Sequence, residues 1–284
     1  MECYTLELVH ECSEPERPML LSVPRAYILT MHERETFPWL HGVARRTYVQ
    51  RNRGFRQCAK TRGDGARVDA TNQDIIHAYR AVFERERNTT DPVLVFEDDA
   101  RLTKTAREDL VHVDRFVATR PFSVYSLGSL GLMVPLDGQG HWRLVGSLFG
   151  FAHAMVYSPS GVRAILATDV GPREHIDSNI IVAMRGKFTY HRPIAYQVVD
   201  ARNKSENSGT WCAKCDGGAL DSFVRSVSWV YFGAIGLDTE KGWGLMYTVH
   251  KLAVPFACVL AALLVVMMAL YVCRLVQRSK ANGA

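Results

Sequence analysis

Three adjacent carboxylates, Glu97, Asp98 and Asp99, close the apolar run Val93-Leu94-Val95-Phe96. Adjacent carboxylates repel one another, so keeping all three ionised in a cleft requires a compensating cation. Side chains alternate along a strand, which puts Glu97 and Asp99 on one side and Asp98 on the other. Two hard oxygen donors at that spacing suit Mn²⁺ or Mg²⁺, which in turn bridges phosphate oxygens. A strand end is also where open α/β sheets bind their ligands. The competing reading is a solvated acidic turn, with Asp98 or Asp99 starting the next helix.

The surrounding elements read as an α/β domain, with strands and helices in alternation. Residues 1–25 hold Pro15, Pro18 and Pro24 and read as an irregular lead-in. Ala26 to Met31 is a first strand, and a polar, Arg- and Gly-rich stretch follows to Val68. Thr71 or Asn72 is placed to cap a helix reaching about Arg87, with Ile75, Ile76, Tyr79, Val82 and Phe83 on its apolar face. Val93 to Phe96 is a buried strand. A helix over Thr103 to Thr119, a strand at Ser123 to Leu127, a strand at Ala152 to Tyr157 and a helix over Ser158 to Thr168 complete the layering. Residues 26–220 form this domain.

Leu252 to Cys273 is a charge-free apolar run. At about 1.5 Å per helical residue it reaches roughly 30 Å, the thickness of a bilayer core. Pro255 falls in its expected first turn, where a missing N–H costs little. Residues 221–251 are an apolar, aromatic approach, either an amphipathic segment on the membrane or a core helix. Arg274, Arg278 and Lys280 lie in the short basic tail, residues 274–284. The acidic N-terminus lacks an apolar stretch, so a C-terminal anchor with the domain in the cytosol is expected. Asn88-Thr89-Thr90 and Asn203-Lys204-Ser205 match the N-glycosylation pattern, which matters only for a lumenal domain.

The net charge of +5 is spread along the chain and suits an anionic ligand or membrane surface. It lacks the concentrated patch expected of a nucleic-acid binder, so no nucleic acid is expected as a partner. Seven cysteines are too few and too scattered to suggest a disulfide framework, and Cys3, Cys12 and Cys58 have no spacing partner. Cys212 and Cys215 read as a local disulfide or two buried thiols. With no second such pair they do not make a zinc site.

The motif order resembles glycosyltransferase family 25, the lipopolysaccharide and collagen glycosyltransferase group, with its relatives in large DNA viruses. Tyr27 to Arg34 is similar to the family's opening strand and Arg-containing turn. Ile75-Ile76-His77-Ala78 is similar to its helix carrying a Ser-His pair, with the His matched. Phe96-Glu97-Asp98-Asp99 matches its acidic strand end in full. Gly150 to Tyr157, followed by Ser160 to Leu166, resembles a later Gly-Ala-x-x-Tyr element before a helix. His175-Ile176-Asp177 corresponds loosely to a Pro-x-Asp. Glu206-Asn207-Ser208-x-x-Trp211 resembles a signature of the viral relatives.

The resemblance implies a GT-A-like domain with a mixed central sheet and an inverting transfer from a UDP-sugar to a glycan or glycoprotein acceptor. It implies Mn²⁺ or Mg²⁺ held by Asp99 with Glu97, and His191 as a further ligand, against an ordinary surface histidine. Arg34, His77 and Asp98 would lie on the donor side, and Glu206, Asn207 and Trp211 on the acceptor side. Asp177 is the expected general base, its alternative being an N-cap for Ile180 to Met184. Two rival functions stand beside this one. They are a two-metal phosphoryl-transfer enzyme, which needs further carboxylates at strand ends, and a membrane-tethered, non-catalytic glycan-binding scaffold.

Overall fold

The structure, a computed structural model, describes residues 3–13, 16–31, 37–150, 152–168, 171, 175–181, 183–198, 233–237 and 239–282. In chain order the strands are β1 (Tyr4–Glu11), β2 (Arg25–Thr30), β3 (Arg46–Asn52), β4 (Val93–Glu97), β5 (Ala100–Leu102) and β6 (Val124–Ser126). After them come β7 (Leu130–Pro135), β8 (His141–Gly150), β9 (Ala154–Tyr157), β10 (Lys187–Tyr190) and β11 (Ala195–Gln197). The helices are α1 (Thr71–Arg85), α2 (Ala106–Thr119), α3 (Pro159–Ala167) and α4 (Glu240–Asn282).

Nine strands form one mixed sheet in the order β1-β3-β2-β4-β9-β6-β10-β8-β7, and β5 pairs with β11 in a separate ribbon. The chain is therefore α/β, as its alternating pattern predicts. Strand β2 is parallel to both β3 and β4, whereas β9 is antiparallel to β4 and β6. It follows that β2, β3, β4 and β6 point the same way. Their carboxyl ends meet at one edge of the sheet, which is where Glu97 stands.

Both faces of the sheet are covered, which explains why Val93 to Phe96 is apolar throughout rather than alternating. Leu94 and Phe96 face a core built with Leu110, Val113 and Phe116 of α2. Val93 and Val95 face the opposite core, with Ile76, Tyr79, Val82 and Phe83 of α1 and Val162 and Ile165 of α3. Helix α3 starts at Ser158, whose hydroxyl accepts from the Gly161 N–H at 3.1 Å. Helix α1 departs from expectation here, because its N-cap is Ala70 and no side chain caps it.

The expected irregular lead-in holds a strand, since β1 pairs antiparallel with β3 along most of its length. A disulfide joins Cys3 to Cys58, correcting the expectation that these cysteines have no partner. Their Cα atoms are 5.5 Å apart, 55 residues apart in sequence. In the chain-entropy picture a cross-link of that span contributes roughly 4 kcal/mol. Beside it the buried Lys60 ammonium pairs with Asp74 and Asn52 and lies over the Tyr4 ring.

Among the described residues one helix, α4, is long and apolar enough to cross a membrane, and its most apolar window has a mean hydropathy of 2.7 with nothing buried. It begins well before the apolar run. Trp243 and Tyr247 are buried, with Trp243 Nε1 donating to the Gly128 carbonyl at 2.7 Å and the Tyr247 hydroxyl to the Tyr190 carbonyl at 2.6 Å. Of the two readings for residues 221–251, the part from Glu240 onward is thus a core helix in its first turns. Pro255 lies inside the helix rather than in its first turn. Its ring leaves the Lys251 carbonyl without the usual helical donor. Most of the remaining approach, Cys212 and Cys215 lie outside the described residues.

Candidate active site

Strand β4 ends at Glu97, and Asp98 and Asp99 form a turn before β5 rather than continuing the strand. The alternation expected of a strand therefore stops at Glu97. The three carboxylates nevertheless take three different partners. Glu97 Oε1 accepts from the Tyr79 hydroxyl at 3.1 Å, and that hydroxyl also lies 3.0 Å from the Ala152 carbonyl. Asp98 Oδ2 accepts from the Thr30 hydroxyl of β2 at 2.8 Å. Asp99 Oδ2 accepts from Gln197 Nε2 of β11 at 2.6 Å.

The β5–β11 ribbon makes that last contact. Gln197 pairs with Ala100, and the Val198 N–H donates to the Asp99 carbonyl at 2.9 Å. The ribbon also packs close to the end of β6. A Cβ on Gly128 would lie 1.9 Å from the Ala195 carbonyl oxygen, so only glycine lets the chains approach there.

The site's electrostatics favour protonated carboxyls. Burial pushes the Glu97 carboxyl well above the usual carboxylate range, and the charges of Asp99 and Asp177 push it further. Burial and the neighbouring Asp98 raise Asp99 to about 7, against the lowering effect of the Gln197 hydrogen bond. Burial and then the charge of Glu97 likewise raise Tyr79 and Tyr157, with Asp177 adding to both.

Asp177 therefore lies near enough for its charge to act on Glu97, although 80 residues of chain separate their numbers. It lies in a π-helical turn, Ile176–Ile181, anchored by buried Ile176, Ile180 and Ile181. Such turns recur at functional sites.

Two oxygens in the cleft are buried without a hydrogen-bond partner, Asp99 Oδ1 and Gln197 Oε1. Orphaned acceptors beside a raised carboxylate are what a hard cation would satisfy. No three carboxylates here have oxygens all within 4.8 Å, because His10, Cys12 and Glu16 alone form such a ligand group among the described residues. That group lies on β1 and the chain after it and shares no residue with the cleft.

The other expected site residues go elsewhere. His77 Nδ1 lies 2.7 Å from the Tyr4 hydroxyl, in the seam between α1 and β1, and burial lowers its pKa. Tyr79, two residues on, is the α1 side chain that touches the triplet. Burial also lowers the pKa of His191, and the charges acting on it are those of Arg192, Lys251, Asp109 and His112, not the triplet's. The structure thus does not bring His77 or His191 to Glu97 and Asp99. Arg34, Glu206, Asn207 and Trp211 lie outside the described residues.

Tyr79, Gln197 and Thr30 escaped sequence reasoning. Of these only Tyr79 carried a signal, a hydroxyl on the apolar face of an expected helix. A cavity of about 570 Å³ opens beside Pro92, Arg120 and Arg163, at the amino end of β4 and away from the carboxylates. Compared with known proteins, the chain matches no family model and no curated protein.

Proposed function

We propose that the domain is a metal-dependent glycosyltransferase of GT-A-like fold. It moves a hexose from a nucleotide-sugar, in our reading a UDP-sugar, to a glycan or glycoprotein acceptor with inversion. The observation that carries this reading is the half-buried carboxylate pair at the carboxyl end of β4, beside the buried, unsatisfied oxygens Asp99 Oδ1 and Gln197 Oε1.

Asp99 and Glu97 would hold Mn²⁺ or Mg²⁺, with donor phosphates completing the shell, since Mg²⁺-type sites use one or two carboxylates. Bound there, the ion supplies positive charge to the departing diphosphate. Tyr79 and Gln197 orient the two carboxylates, so the donor meets a preorganised site. Asp177 takes the acceptor hydroxyl's proton, arriving from a different chain segment than the metal ligands. The exposed apolar stretch Pro255 to Tyr271 of α4 anchors the domain at a membrane.

One observation favours a second reading. Asp177 supplies the additional carboxylate that a two-metal phosphoryl-transfer enzyme needs. Among the described residues, however, Glu97, Asp99 and Asp177 do not make a group whose ligand oxygens all lie within 4.8 Å of one another.

The test uses the chain ending at Lys251 with a panel of UDP- and GDP-sugars. Mn²⁺-dependent hydrolysis of one of them is expected, and Asp99→Asn should reduce it by on the order of 10² or more while the fold persists. A folded protein that binds and hydrolyses none of them with Mn²⁺, or whose Asp99→Asn variant keeps normal turnover, defeats the proposal.

A further inference from the structure

We infer that the globular domain resides in an oxidising, extracytoplasmic compartment, where the Cys3–Cys58 bond forms and Asn88 carries an N-linked oligosaccharide. This reverses the cytosolic orientation expected from the sequence, and it does not depend on the transferase reading.

Two unrelated features point to the same compartment. The first is the disulfide. Cytosolic thiol pools keep cysteines reduced, whereas secreted and lumenal domains retain such bonds. Cys3–Cys58 sits at a structural joint, pinning the start of β1 to the loop that delivers the buried Lys60 to Asp74. The domain therefore uses the bond in its resting fold.

The second feature is the triplet Asn88-Thr89-Thr90. It follows α1 on a turn where Asn88 and Thr90 are exposed. The turn is well fixed, since Thr89 Oγ1 accepts from Arg25 Nη2 at 2.8 Å and from the Asp91 N–H at 3.1 Å. The hydroxyl of the acceptor pattern, that of Thr90, stays on the surface. The turn precedes the amino end of β4, whereas Glu97 stands at its carboxyl end. A bulky oligosaccharide on Asn88 thus projects away from the cleft.

The helix agrees with this orientation. The Lys251 ammonium is taken up by the domain, donating to the His191 carbonyl at 2.8 Å and lying over the Trp142 ring. Arg274, Arg278 and Lys280 then form the basic flank on the far side of the span, and basic flanks favour the cytosolic face.

Both modifications balance chemically. The two thiols give two electrons and two protons to a disulfide-bearing oxidant, which leaves as the dithiol. Asn88 Nδ2 loses a proton and bonds the anomeric carbon of a polyprenyl-diphosphate oligosaccharide, whose diphosphate departs with the bridging oxygen.

The experiment expresses the full chain in cultured eukaryotic cells, alkylates it without reduction and maps its peptides. Cys3 and Cys58 should appear as one cross-linked pair. Peptide N-glycosidase should remove an oligosaccharide and leave aspartate at position 88, and Asn88→Gln or Thr90→Ala should abolish that product while keeping the cross-link. Because Asn203-Lys204-Ser205 is a second acceptor triplet, each peptide is read separately. An Asn88 peptide found unmodified in the wild-type chain overturns the inference. So does alkylation of Cys3 and Cys58 without a reductant.

Discussion

Gln197 donates to Asp99 at 2.6 Å across 98 residues of sequence. The contact exists because β11 returns antiparallel to β5, the short strand that leaves the acidic turn. The hydrogen bond favours the ionised carboxylate, opposing burial and the charge of Asp98. Gln197→Met keeps the volume and removes the donor. The Asp99 pKa should then rise above about 7, and Mn²⁺ binding should need a higher pH to reach half-saturation. Calorimetric Mn²⁺ titrations over a pH series spanning that value measure this, and an unmoved midpoint would contradict the role given to Gln197.

A second expectation concerns pH and stability. In the fold Glu97 and Asp99 titrate above their ordinary values. Without metal, the folded state therefore holds protons that the unfolded chain has already released. Their contribution is fully present below the unfolded pKa, near about 4, and is lost as pH rises through the folded values. Five histidines with lowered pKa, His41, His77, His141, His191 and His250, pull the other way. The measurement is thus a difference. The Tm of the metal-free wild type should fall relative to Glu97→Gln between about pH 5 and 8, and Mn²⁺ should reverse the trend. A constant difference would show that Glu97 is not buried as an acid.

Much of the core of this fold was legible, and for a physical reason. Val93 to Phe96 is buried on both faces, so its apolar run carries its own signal and ends at the acidic triplet. Strand β3 gave no such signal, because Gln50 and Asn52 are buried through hydrogen bonds to the Ala78 carbonyl and Asp74. Strand β1 alternates as an edge strand should, but the prolines after it suggested a loop. The Cys3–Cys58 pair and the Gln197–Asp99 contact are matters of tertiary approach, which spacing does not encode. His77 illustrates the reverse error. It matched a motif position, while the helix directs Tyr79 toward the triplet and His77 toward Tyr4.

The first turns of α4 give a third expectation. Trp243 is fully buried and donates to the Gly128 carbonyl, beside the close approach that positions β11. Trp243→Ala should destabilise the chain ending at Lys251 by about 3–5 kcal/mol, from the cavity and the orphaned carbonyl. Leu260→Ala in the full chain, on the exposed part of α4, should leave the domain's melting unchanged. Urea melts of both variants decide it. Near-wild-type stability of Trp243→Ala would mean that the first turns of α4 do not belong to the core.

The last expectation separates chemistry from architecture at Asp177. Its charge raises the pKa of Glu97, so the two lie near each other, yet it comes from the turn after α3 rather than from β4. A base that removes the acceptor proton must act on the opposite side of the sugar from the leaving diphosphate, and such a separate origin allows that. Asp177→Asn keeps shape and polarity, and Asn caps a helix about as well as Asp, so the change should cost little stability. Transfer to an acceptor should fall by about 10² or more, while donor binding and metal binding, which rest on Asp99 and Glu97, should persist. Hydrolysis of the donor by water should survive better than transfer, because water needs less from a base placed for a sugar hydroxyl. Comparing the two rates on the same variant is the decisive measurement. If Asp177→Asn transfers sugar at the wild-type rate, the proton leaves by another group and Asp177 serves only to set the charge on Glu97.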